Sequence, residues 1–267
     1  MDILIEREEL LKEKLKLGIH LFTGAGFSCL KNENGNSLPI VSELCKEICD
    51  KFDFQYDTFG DDLESLCALA EGDELQDFFR KRFYVDDINP KYFLLNKINL
   101  LSYITTNIDN IIHVAIESDT RYYLNSMTYY GAPRLDRSEI CYIPLHGEIS
   151  NHESKLYFGK FDLAMVDKAN TDLFQSAIIK MKNSPVLFWG YGFHDKGVLK
   201  IVQKLISEGP QDIWVQCMPD DQKQINLFRG LGCNTIIGDT DDLFDWIADN
   251  ADEPEEIEID DIAMSLS

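Results

Sequence analysis

The stretch HLFTGAGFSCL, His20–Leu30, decides how the chain is read. Its first half is apolar enough for a strand buried on both faces. Its second half drops the side chain at Gly24 and at Gly26, and then offers the hydroxyl of Ser28. Glycine raises the conformational entropy lost on folding, so a bare backbone at a strand end needs a reason. Two reasons fit. The turn is tight, or a ligand approaches the main chain, with Gly24 and Gly26 turning N–H groups towards an anion beside a helix start. The pattern lacks the third glycine of GxGxxG.

Working outward, apolar runs alternate with amphipathic ones. A helix is expected over 2–17, then the strand 18–24, then a loop of turn formers, CLKNENGNSLP. Helices fill 40–98. Further strands are expected at LLSYITT, ICYIPLHG, PVLFWGYGF, QDIWVQCM and CNTIIGD. Helices are expected at NIDNIIHVAIE, in the 155–182 region, and at HDKGVLKIVQKLI, PDDQKQINLFRG and TDDLFDWIAD. Alternation of this kind predicts an α/β fold: a Rossmann-like parallel sheet with helices on both faces and a helical insert after the first strand. The expected division is one domain over 1–250, with the insert at about 40–98, and an acidic tail over 251–267.

In such sheets ligands bind beyond the carboxyl ends of the strands. The residues delivered there are Gly24-Ala25-Gly26-Phe27-Ser28, Thr106-Asn107-Ile108-Asp109, His146-Gly147, Gly190-Tyr191-Gly192 and Gly238-Asp239. Asn107 and Asp109 suit helix capping; they suit equally well the binding of ribose hydroxyls, a carboxamide or a water. His146 fits a satisfied core histidine or a general base. His20, His113, His152 and His194 lack a comparable setting.

Composition narrows the partners. The net charge is −22, and Asp239–Asp261 holds twelve acids without a Lys or Arg. A duplex-binding protein needs a basic stripe, which is absent. No apolar run approaches the ~20 residues of a membrane helix. The seven cysteines include no CxxC pair, which argues for free thiols and against a zinc ribbon. No HxxxH or HExxH pair occurs, so no catalytic metal is expected. The location expected is the cytoplasm.

GAGFS, TTNIDN, LHG, GYGF and IIGDTDDLFDWI stand in an order and rough spacing that resemble the sirtuin-like NAD-binding fold, from about residue 18 to 249. Two departures matter. Deacylating sirtuins carry a four-cysteine zinc ribbon after the catalytic histidine; here GEISNHESKLYFGKF has no cysteine. They also follow the glycines with a Pro-Asp-Phe-Arg loop, absent here. The chain is more similar to the bacterial sirtuin-like NAD hydrolases of antiphage defence. That resemblance implies an NAD+ hydrolase with NAD+ as substrate, a homo-oligomer, and control by assembly or by a partner ATPase or other sensor. The alternatives are an NAD-dependent protein deacylase and a non-catalytic module that senses NAD or ADP-ribose.

By the same resemblance, Ala25, Gly26 and Ser28, with Gly24 and Thr106, would hold the phosphates and neighbouring groups. Asn107 would orient the ribose and the attacking water. Asp109 would meet the nicotinamide end, and His146 would be the general base. Gly190 and Gly192 would pass near the adenosine half. Asp239 and Thr240 would lie near adenine, with Asp195 a further candidate.

Overall fold

A computed structural model describes residues 3–55, 62–70, 72–119, 121–127, 138–157, 171–192, 203–207 and 212–251. The strands are β1 (Leu4–Ile5), β2 (Ile19–Thr23), β3 (Leu100–Thr105), β4 (Tyr122–Ser126), β5 (Ser138–Pro144), β6 (Val186–Trp189), β7 (Ile213–Cys217) and β8 (Asn234–Ile237). The helices are α1 (Glu8–Leu17), α2 (Val41–Phe52), α3 (Leu63–Leu69), α4 (Asp73–Phe83), α5 (Ile111–Glu117), α6 (Thr171–Met181), α7 (Gln222–Gly230) and α8 (Thr240–Asn250). Two 3-10 segments, Ala25–Cys29 and Pro90–Lys97, and a helical stretch at 203–207 complete the described elements.

The eight strands form one sheet in the order β1-β8-β7-β6-β2-β3-β5-β4. All pairings are parallel except β1 with β8. The chain runs outward from β2 through β3 to β4 and β5. It then returns to lay β6 on the other side of β2 and runs outward again to β8. The switch point therefore falls between β2 and β6.

Each face has its own core. Leu21, Tyr103, Leu187, Trp214 and Ile236 pack under α1, α5, α8 and the 90–97 segment. Phe22, Ile104, Phe188 and Val215 pack under α6, α7 and the 203–207 stretch. Successive strand residues point to opposite faces, and apolar residues on both faces are what a covered parallel sheet requires. A third core belongs to the insert. Leu44, Ile48, Leu66 and Phe79 enclose it, joined by Ile108, Ile149 and Leu156 from the strand-tip loops. So α2–α4 sit over the carboxyl rim of the sheet.

Three expectations need correction. The N-terminal helix begins at Glu8, not at residue 2, because Leu4–Ile5 is consumed as an antiparallel edge strand and Arg7 adopts a left-handed turn (φ 54°). The first strand of the chain is thus β1, and the insert follows the second. The segment Pro90–Lys97, read as part of the insert, instead packs into the main core through Tyr92 and Leu95. The helix expected over 194–206 is described only at 203–207. The turn and first helix expected at 155–166 lie largely outside the described residues.

Candidate functional site

The glycine turn closes on the tip of β6. Gly24 N–H donates to the Trp189 carbonyl (3.1 Å) and Gly26 N–H to the Gly190 carbonyl (2.8 Å). Phe27 N–H returns to the Gly24 carbonyl (2.9 Å). A Cβ on Gly26 would stand 3.0 Å from Gly190 O, and one on Gly24 would collide with the Tyr191 ring. Gly190 has φ +65°, and a Cβ there would overlap the Phe27 amide nitrogen. The bare backbone is needed for chain-on-chain contact across the switch point. The amides of Gly24 and Gly26, expected to face an anion, are taken by the chain itself. The anion reading then rests on the Ala25 end of the 3-10 segment and on Ser28.

The neighbouring tip is a hydrogen-bonded polar chain. The Asn107 side-chain amide donates to the Gly24 carbonyl (2.9 Å) and to Ser28 Oγ (2.8 Å). Ser28 Oγ donates to Asp109 Oδ2 (2.8 Å). Asp109 Oδ1 accepts from the Ile111 amide (3.1 Å), so capping and site geometry coexist in one carboxylate. Behind them, Thr23 Oγ1 meets Tyr103 Oη (2.7 Å) and Thr105 Oγ1 (2.8 Å). Asp109 is buried, and burial pushes its carboxyl above the usual range although Ser28 and two backbone amides oppose the shift.

The His146 tip is fastened to the same place. Leu145 N–H donates to the Thr105 carbonyl (2.8 Å) and Ile149 N–H to the Ile108 carbonyl (3.1 Å). These two bonds bracket His146 on one loop and Thr106-Asn107 on the other. Asn107, Asp109, Ser28 and His146 are therefore brought to adjoining tips of β2, β3 and β5. Helix α4 grips the chain that follows: the Arg80 guanidinium donates to the carbonyls of Ile149 (3.3 Å), Asn151 (3.1 Å) and Ser154, and Gln76 pairs with both backbone groups of Leu156.

A family model described as SIR2-like domain matches residues 101–236. The chain belongs to the SIR2-like family. No curated protein matches it. The family uses NAD+, and the SIR2-like chain is accordingly a member of an NAD-dependent enzyme family.

The remaining expected residues are more scattered over this SIR2-like rim. Thr106 N–H donates to the Thr23 carbonyl (3.2 Å). Thr240 Oγ1 donates to the Gly26 carbonyl (2.8 Å), which ties the tip of β8 to the glycine turn. Asp239 caps α8, accepting from the Asp242 amide (2.8 Å). Gly192 is exposed. Asp195 lies outside the described residues. His146 and Gly190 are separated by the width of β2 and β3, about 14 Å at the usual strand spacing. A cavity of about 270 Å³ lies on the Ser28 side, between the glycine turn and the insert, lined by Ser28, Leu30, Leu38, Val85, Tyr92 and Ile111 among others. His146 is not part of its wall. Among the described residues no group of three or more potential ligands could hold a metal ion, and no described helix is long and apolar enough to cross a membrane.

Sequence reasoning passed over His113 and Glu148. Glu148 is 2% exposed, accepts a hydrogen bond from Ser126 Oγ (2.6 Å), and lies 3.4 Å from His113 Nε2. The available signals were a histidine inside the apolar run IIHVAIE and an acid directly after His-Gly.

Proposed function

We propose that this SIR2-like chain is an NAD+ hydrolase that cleaves the nicotinamide–ribose bond and releases nicotinamide and ADP-ribose. The observation that carries the reading is the bracketing of His146 against Asn107 and Asp109 by the main-chain bonds at Leu145 and Ile149. The nicotinamide of NAD+ leaves as a neutral molecule from a cationic ring, so the reaction needs little acid catalysis. It needs a held ribose, an oriented water and a base, because the transition state is oxocarbenium-like.

In this reading Asn107 orients the ribose and the water, and Asp109 faces the nicotinamide end. His146 takes the proton as the water oxygen bonds to the ribose carbon and the carbon–nitrogen bond breaks. The cavity beside Ser28 takes one end of the dinucleotide. The phosphates lie at the Ala25 end of the 3-10 segment and at Ser28, and the adenosine half runs towards Gly190, Gly192, Asp239 and Thr240. An acidic chain binding an anionic ligand must use dipoles and hydroxyls rather than lysines. Helices α2–α4, resting on the rim, exclude bulk water.

The absence of cysteine between Cys141 and Cys217, and the Arg80-held turn after His146, favour hydrolysis over peptide deacylation. We assign the chain, further, to antiphage defence as a cytoplasmic effector that depletes NAD. It would act as a homo-oligomer restrained until assembly or a partner ATPase or other sensor releases it. Residues 1–250 are taken as one domain and 251–267 as an acidic tail. The test is nicotinamide release from NAD+ by the purified chain and by His146→Ala. Loss of about 10²- to 10⁴-fold in the variant, at unchanged fold, is the expected result. Equal release by both would remove His146 from the mechanism.

A further inference from the structure

We infer that Glu148 is a positioning residue that fixes the direction of the His146 side chain; the inference rests on the reading of His146 as the base. A carboxylate at 2% exposure is unfavourable by several kcal/mol unless it is paired and hydrogen-bonded. Here two separate elements converge on it. Ser126, the last residue of β4, donates its hydroxyl at 2.6 Å. His113 of α5 places Nε2 at 3.4 Å from the other oxygen. Glu148 itself belongs to the loop after β5, and its amide donates to Ser154 Oγ at 3.3 Å.

Among the described residues, Asp109, Glu117 and Tyr142 face this pair, Asp109 being close enough to interact electrostatically with His113. Glu117 lies one helical turn on, 3.7 Å from His113 Nδ1. Tyr142 of β5 meets the His113 ring edge-on, with centroids 5.1 Å apart. Burial alone would strip the proton from His113, but Glu117 and Glu148 outweigh it and hold the imidazole pKa up at about 9. At neutral pH the contact is therefore an ion pair.

Its position explains its use. The turn from His146 to Ile149 is fixed at both ends by main-chain bonds to β3 and the loop after it. Between those ends Gly147 sits at φ +89°, where a Cβ would collide with the Lys155 carbonyl. Within the turn Gly147 N–H donates to the Pro144 carbonyl (3.3 Å) and the His146 carbonyl accepts from the Tyr157 amide (3.0 Å), so main-chain bonds set the backbone without involving a side chain. The Glu148 side chain anchors it, two residues from the histidine. An apolar residue of the same size would leave the buried His113 without this partner and lower stability. It would not select one orientation, because apolar contact is non-directional.

The experiment compares the wild type with Glu148→Gln, His113→Gln and the double variant, reading nicotinamide release and amide hydrogen exchange together. Glu148→Gln is expected to lower kcat about 10- to 100-fold, with the KM for NAD+ within about twofold, and to raise exchange at residues 147–149 selectively. The double variant is expected to be no worse than the single ones, since both break one contact. Wild-type turnover with unchanged kcat and exchange in both single variants overturns the inference. A rise in exchange at all amides alike also overturns it, because that marks a general loss of stability. Should the wild type release no nicotinamide, kcat gives no readout and exchange alone decides: unchanged exchange at 147–149 in Glu148→Gln overturns the inference. Should Glu148→Gln fail to fold, Ser126→Ala removes one hydroxyl from the same carboxylate and is read in the same two ways, with a smaller loss expected.

Discussion

The two halves of the carboxyl rim are built on opposite principles. Around β2 and β6 the chain removes side chains: Gly24, Gly26 and Gly190 let two loops approach until their backbones touch. Around β3 and β5 it does the reverse, crowding Asn107, Asp109, His146 and Glu148 into adjoining loops, where Ser28 bonds to Asn107 and Asp109 while Ser126 and His113 meet Glu148. The first half is specified by excluded volume and the second by hydrogen bonds. A glycine at a strand tip therefore does not by itself announce a ligand, and a buried acid there does not by itself announce catalysis. Each has an internal partner that must be counted first.

Substitutions can sharpen this contrast. The largest effect is expected from Gly190→Ala, where positive φ and overlap with the Phe27 amide act together; a loss of about 4 kcal/mol or more is expected from denaturant unfolding. Gly35→Ala serves as its control: φ is +79° but a Cβ would meet nothing within 4 Å, so about 1 kcal/mol is expected. Equal losses at the two sites would mean that strain, not contact, fixes the glycine half.

Two buried histidines carry the contrast into pH. His20, hydrogen-bonded to Ser102 at 2.7 Å, is pushed down to about 4 by burial and then by Lys180. The unfolded chain takes up the proton first, so the stability His20 contributes is present above about 6.5 and lost as pH falls towards 4. His113 runs the other way. Its contribution is full below about 6.5 and lost as pH rises through about 9. Each shift corresponds to on the order of 3 kcal/mol. Urea midpoints measured across pH should lose their acid-side slope in His20→Gln and their alkaline-side slope in His113→Gln. Parallel curves for the wild type and both variants would show the two sites to be uncoupled from folding.

Smaller effects come from single hydroxyls. Ser28→Ala deprives the buried Asp109 of a donor, and a loss of about 2 kcal/mol is expected, growing above the carboxyl's raised pKa, where the group is charged. Thr240→Val removes the bond to the Gly26 carbonyl and the contact with the Cys29 thiol from the glycine half, for about 1 kcal/mol. A larger loss at Thr240 than at Ser28 would reverse the assignment of the two halves.

Most of the sheet was legible because buried parallel strands are continuous apolar runs: β2, β3, β6, β7 and β8 all fall inside the expected segments. The two-residue β1 was not, since no periodicity can be read from Leu4–Ile5 and its partner lies at the other end of the chain. Site residues on one loop, such as Asn107 and Asp109, announce themselves by spacing. The Glu148–His113 pair does not, because its two members are 35 positions apart in sequence and meet only through the β3–β5 register. The purpose of the glycines was likewise hidden. Sequence shows that a side chain is missing, not what fills the space.

The small strand β1 has a consequence for how the molecule is made. Beside it the Glu6 carboxylate accepts from the Thr235 amide, 229 residues away, and its carbonyl accepts from the Trp214 indole. During synthesis these first residues wait for nearly the whole sheet before they find a partner. Until they dock, β8 is an open edge able to recruit a foreign strand. Docking of β1 on β8 is then a long-range step. A fusion or truncation near residue 4 would act less on the finished fold than on how long its edge stays unguarded.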